Sequence, residues 1–163
     1  MRLVFASSPS TKHLALLKKC NVEHILISYH FVKDVDKLLK VMGDYIPKTF
    51  ILDSGAFSVW ANGGTVDLWA YTLFAKRLRK ALPPEIELNV VNLDVLPGEF
   101  GRTPTMEERE QSAIKGWENM LKLEEEGLKV IHVYHQHEKI EWLDKLRQHS
   151  DYIGISPAND VSM

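Results

Sequence analysis

Short apolar runs alternate along the chain with longer segments whose apolar residues recur at helical spacing. Leu3 to Ala6, His24 to Tyr29, Phe50 to Leu52, Leu88 to Leu93, Val130 to Tyr134 and Tyr152 to Ile155 read as six strands. Between them, Leu14, Leu16 and Leu17 predict a first helix, and Val35, Leu38, Leu39 and Met42 a second that ends at Gly43. Leu68, Tyr71, Phe74, Leu78 and Leu82 predict a third, stopped by Pro83-Pro84. The pair Thr105 and Glu108 has the spacing of a capping box and opens a long helix with Ala113, Ile114, Trp117, Met120 and Leu121 on its apolar face. A last helix covers Ile140 to Leu146.

About six βα steps at this spacing predict parallel strands joined by crossover helices, an α/β fold. The strands are continuous apolar runs, not alternating ones, so both sheet faces are expected to be buried. Two architectures fit: an open doubly wound sheet, and a parallel (β/α) barrel of the TIM type. No G-x-G-x-x-G follows the first strand, which favours the barrel. A full barrel takes about eight units. The expectation for 163 residues is therefore one barrel domain over 1–163, incomplete and truncated at its C-terminus. Open sheet edges in such a fragment predict a homo-oligomer or a partner chain.

Composition narrows the function. A net charge of −2 and a pI near 6.4 argue against a polybasic nucleic-acid binder. The single cysteine, Cys20, forbids an internal disulfide and any multi-cysteine zinc site. No run approaches a membrane span or a signal segment, so the expectation is a cytoplasmic protein without a membrane partner.

Ligands of parallel α/β folds bind at the carboxyl ends of the strands. The residues placed there are Ser7, Ser8 and Ser10; Tyr29 and His30; Asp53-Ser54-Gly55-Ala56-Phe57-Ser58; Asp94 with Pro97-Gly98-Glu99; His135, Gln136 and His137; and Ser156, Asn159 and Asp160. Burial of a carboxylate at such a rim raises its pKa toward the range useful for proton transfer. Each Asp could instead cap its own loop, but two at one rim, one followed by Ser-Gly, favour chemistry. Gly55 allows a tight turn and close approach to a ligand. Phe57, taken alone, reads as a core aromatic. His132, His135 and His137 raise the question of a metal, but only two of them share a strand face, so rim histidines are the better reading and no metal is assigned. Trp60, Trp69, Trp117 and Trp142 read as helix-to-barrel packing. Lys76, Arg77, Arg79 and Lys80 read as a solvated helix face, with a phosphate-binding role as the alternative.

The run Ile51-Leu52-Asp53-Ser54-Gly55-Ala56-Phe57 resembles the Asp-Ser-Gly-Gly-aromatic motif of the tRNA-guanine transglycosylase (queuine tRNA-ribosyltransferase) family. Asn92-Leu93-Asp94, a Pro/Gly loop and the acidic helix start at Thr105 to Ser112 follow in the family's order, as do His135-Gln136 and Tyr152-Ile153-Gly154-Ile155. The likeness covers about residues 45 to 158, and Ala56 and the short form look most like phage-type relatives that place 7-deazaguanines into DNA. The resemblance implies a (β/α)8 barrel that exchanges guanine for a 7-deazaguanine in tRNA or DNA, with no cofactor assigned. It implies Asp53 as the acid/base group, and Asp94 as acceptor for the N–H groups of the Watson–Crick edge. Gln136 and the backbone near Gly154 and Ile155 become donors to the base carbonyl, Ser54 a further contact, and Phe57 a stacking wall. The family's nucleophilic Asp lies on a later strand, and Asp160 does not occupy its position. Two other readings stay open: a non-catalytic half-barrel module that binds a base and is completed by a partner, and an unrelated barrel hydrolase with Asp53 and Asp94 as paired carboxylates.

Overall fold

The computed structural model describes residues 2–156, so Asn159 and Asp160 lie outside the described residues. Six strands form one sheet: β1 (Phe5–Ala6), β2 (His24–Ser28), β3 (Thr49–Asp53), β4 (Glu87–Val91), β5 (Val130–His135) and β6 (Ile153–Ser156). They alternate with α1 (Thr11–Lys19), α2 (Val35–Met42), α3 (Ala56–Trp60), α4 (Leu68–Ala81), α5 (Met106–Glu125) and α6 (Ile140–His149). Every pairing is parallel, and the strands lie side by side in chain order.

That order decides between the two architectures. A doubly wound sheet reverses its strand order at a switch point, which sends helices to both faces. Here the order never reverses, and crossovers of one hand then lay all the helices on one face. A single core cluster bears this out. It joins Leu14, Leu38, Tyr71, Met120 and Leu146 of the helices to the alternate strand residues Ile25, Ile27, Phe50, Leu52, Leu88, Val90, Val130 and Tyr134. With one face covered, the twisted sheet curls into a half-barrel.

The concave face departs from the expectation of two buried faces. In β2, Ile25 and Ile27 are buried against the helices while His24, Leu26 and Ser28 are half-exposed, an alternation the apolar run had hidden. Neighbours help Ile51, Asn89 and Ile131 to be buried on this side. At the amino ends of the strands, a polar chain links His24 to Thr49 at 3.0 Å and ends on Glu87, which pairs with Lys129 and Arg2.

Side chains at the helix starts supply the caps that the exposed N–H groups need. Ser10, Asp34 and Asp67 accept from His13, Lys37 and Ala70. The capping box of Thr105 and Glu108 is fully formed, with Arg102 holding the Glu108 carboxyl down to a pKa of about 2. Three of the four basic side chains of the α4 cluster have partners within the fold. Lys76 pairs with Glu126, Arg77 with Asp36, and Arg79 donates to the carbonyls of Ile86 and Pro83 at 2.6 and 2.9 Å. These bonds stand against the phosphate-binding alternative for that face. Trp117 and Trp142 pack on the core as expected, whereas Trp69 is exposed.

Candidate functional site

Asp53 is the last residue of β3, and Asp94 follows β4 by three residues. Buried side chains behind the sheet hold the backbone just before each carboxylate. The Tyr71 hydroxyl of α4 sits between the carbonyls of Leu52 (3.0 Å) and Val91 (2.7 Å), tying the two strand ends together. Asn92 is fully buried, and its amide donates to the Gly116 carbonyl of α5 at 2.8 Å and contacts His132 Nδ1 at 2.8 Å. Gly116 packs beside the His132 ring, where a Cβ would lie 3.6 Å away, an ordinary contact distance. Asn119 adds a bond to the Leu93 carbonyl at 2.9 Å. The rim is therefore built on rigid elements, which holds reactive groups more closely than free loops would.

The turn after β3 is shaped by its neighbour. Gly55 has φ 74°, and a Cβ there would lie 2.5 Å from His30 Cβ and 2.8 Å from Ser28 Oγ. Within the fold, the close approach that Gly55 makes is to the end of β2 and the turn that follows it. Asp53 Oδ2 accepts from Gly55 N at 3.0 Å, and Ser54, buried, accepts from Ala56 N at 3.3 Å. One oxygen of Asp53 therefore caps its turn, as the plainer reading had it.

Asp94 is enclosed. Burial pushes its pKa up, against the pull of the facing His135, and the charge of Asp53 pushes the same way. His135, the last residue of β5, places Nε2 3.5 Å from Asp94 Oδ2 and Nδ1 3.0 Å from Ser156 Oγ of β6. At 3.5 Å, Nε2 lacks hydrogen-bond geometry to the carboxylate and has no other acceptor among the described residues, so the contact is electrostatic. Burial works against a charge on His135, but Asp94 and Glu138 outweigh it and raise its pKa. Three adjacent strand ends thus carry one polar chain, Asp94, His135 and Ser156.

Glu138, in the turn after β5, carries no motif or spacing that marks it for the site. Burial raises its pKa to about 7, with Asp94 and Glu110 adding to the shift and His135 opposing it. A carboxyl that holds its proton in the folded state but not in the unfolded one favours folding below its ordinary pKa of about 4.5, and that contribution is lost as pH rises through about 7. Glu138→Gln mimics the protonated form. The variant is expected to be more stable than the parent by about 1–2 kcal/mol at pH 8, after discounting for partial exposure, and equal to it at about pH 4, below the ordinary carboxyl pKa. Urea titrations at the two pH values check this.

The remaining candidates are placed as follows. Gln136 follows His135 in an exposed turn. Gly154 pairs with Val133 on the concave side, where a Cβ would meet Val133 Cγ2 at 3.1 Å. Ile155 has its side chain 63% exposed. Phe57, on α3, is 48% exposed and so is not the core residue it resembles in isolation. Its ring belongs to an aromatic group with Trp60 and Phe100, centroids 5.9 and 6.3 Å away. The Trp60 indole N–H donates to the Gly98 carbonyl at 2.9 Å, which fastens the β4–α5 loop over α3. Trp60 was read as packing; it also lines a cleft of about 340 Å³ with Ala56, Leu93, Asp94, Lys115 and Asn119. That volume lies in the usual range for small-molecule sites, about 300–1,000 Å³.

His132 faces α5, away from His135, and burial lowers its pKa to about 4. The His135 and His137 rings stack at 5.5 Å. Among the described residues no cluster of three histidine, cysteine or carboxylate side chains has a metal-holding arrangement, and no helix is long and apolar enough to cross a membrane. No protein-family model matches the chain, and no curated protein is significantly similar to it.

Proposed function

We propose that the chain captures a guanine-type base and manages its proton during base exchange on a nucleic acid, as the resemblance to tRNA-guanine transglycosylases implies. The reading takes the curled sheet as part of a TIM-type barrel. Further strands at its β1 and β6 edges would close that barrel. One observation carries it: Asp94, the carboxylate matched to base recognition, is largely enclosed just beyond a strand end, lines a cleft with an aromatic wall, and stands within electrostatic reach of Asp53.

The chemistry follows from the base. Guanine and the 7-deazaguanines present N1–H and a 2-amino group side by side, and one carboxylate accepts from both. An ionised acceptor makes such bonds about twice as strong as neutral ones. Breaking the N-glycosidic bond needs proton management at the leaving base. Asp53 has that role in this reading, its second oxygen being outside the Gly55 bond. Phe57 and Trp60 supply the stacking surface, and Gln136 with the backbone at Gly154 and Ile155 serves the base carbonyl. The covalent step belongs to a nucleophile that the resemblance puts on a later strand.

Calorimetry with guanine, preQ0, preQ1 and adenine tests the reading. The first three are expected to bind and adenine to bind at least about 100-fold more weakly, since its edge sets an acceptor against Asp94 and leaves a buried group unpaired. Equal affinity for adenine and guanine, or no binding of any of them, would sink it.

A further inference from the structure

We propose that His135 is a positioning residue for base capture: held at Nδ1 by Ser156, it turns Nε2 to Asp94 and keeps that carboxylate ionised and aimed at the N–H edge of the base. The inference rests on the base-capture reading and adds to it a residue that the resemblance does not supply.

The geometry gives the reason. A buried carboxylate tends to hold its proton, and a protonated Asp94 would offer one donor and lose half of its acceptor capacity. A base edge made of two N–H donors needs the ionised form. Among the described residues, the cation within ion-pair distance of Asp94 is His135, at 3.5 Å. The imidazole is itself buried, so it does not swing freely, and the 3.0 Å contact to Ser156 fixes which nitrogen faces Asp94. The imidazole therefore acts on Asp94 across 3.5 Å by its charge, not by a hydrogen bond.

Other groups set the balance on this pair. Asp53 at the end of β3 acts on Asp94. Glu138 acts on His135 from the turn after β5. Glu110 of α5 acts on Glu138 and is itself paired with Lys139 at 2.9 Å. His132 feels the His135 charge from the same strand, and the His137 ring stacks on His135. Lys115 of α5 lines the same cleft as Asp94, but His135 is the cation within ion-pair distance of the carboxylate, and it opposes the push of Asp53.

Two measurements test the proposal. First, guanine affinity of the His135→Asn variant is compared with that of the parent at pH 6 and pH 8. Without the imidazolium the Asp94 pKa rises further, so affinity is expected to fall about tenfold at pH 6 and to stay within about twofold at pH 8. An equal loss at both pH values would mean a purely structural role and overturn the proposal. Second, the ring of His135 is titrated by NMR without any base. Asp94→Asn is expected to lower its midpoint; an unchanged midpoint overturns the coupling. If the parent binds no guanine, the base-capture reading fails, while the titration still decides whether the Asp94–His135 pair exists.

Discussion

Gly55→Ala is expected to destabilise the protein by about 3–4 kcal/mol, from left-handed backbone strain and steric overlap together. The backbone at Gly55 has φ 74°, a conformation that costs any residue with a Cβ about 1–2 kcal/mol. The overlap is the larger part. The new methyl would lie 2.5 Å from His30 Cβ and 2.8 Å from Ser28 Oγ, and the third nearest atom is the His30 backbone nitrogen at 3.1 Å. These atoms belong to the last residue of β2 and the turn that follows it, so relief requires the two strand ends to separate. Gly63→Ala is the natural comparison. It has φ 72° and nothing within 4 Å of a built Cβ, so strain alone remains and the expected loss is about 1–2 kcal/mol. Urea denaturation of both variants separates the two contributions. Equal losses would show that the contact with the β2 turn is not what requires glycine. Asp53 would also feel the change, because its Oδ2 accepts from the Gly55 N–H.

Much of the fold was legible because hydrophobic period and capping chemistry agree along this chain. All six strands and five of the helices fall where the pattern places them, and the Thr105–Glu108 capping box is present bond for bond. The pattern could not choose between a doubly wound sheet and a curled one. That choice depends on strand order, which the order of apolar runs does not encode. It also missed α3, whose five residues are too few to show a helical period.

The site was half legible. Strand ends pointed to Asp53, Asp94 and His135, and a polar Asn92 inside an apolar run was the available sign of a buried anchor. Glu138 and Trp60 gave no such sign. The first matters because the turn after β5 folds its carboxyl toward Asp94, and the second because a bond to Gly98 brings a loop from another strand across it. Both are tertiary effects, invisible to spacing. Phe57 shows the opposite failure: an aromatic next to a strand end reads as core, but its helix turns it outward.

The second large effect concerns Asp94 itself. If it accepts the two N–H groups of a guanine edge, its removal deletes two charge-assisted bonds worth about 1.5–3 kcal/mol each and leaves the donors facing a buried void. Loss of both bonds, even at the low end, amounts to about 3–4 kcal/mol, or a few hundred-fold in affinity. Removal lifts the cost of a carboxylate whose pKa burial raises, but leaves His135 without its partner, so the variant is expected to stay folded at neutral pH with little net change in stability. Binding should therefore fall while stability hardly moves, which no general weakening of the rim would produce. The decisive measurement is calorimetric titration of guanine into the parent and into Asp94→Ala at pH 8, with circular dichroism to verify that both are folded. The account predicts measurable binding by the parent and a loss of a few hundred-fold, to below detection, in the variant. Equal affinity of the two folded proteins for guanine would contradict it.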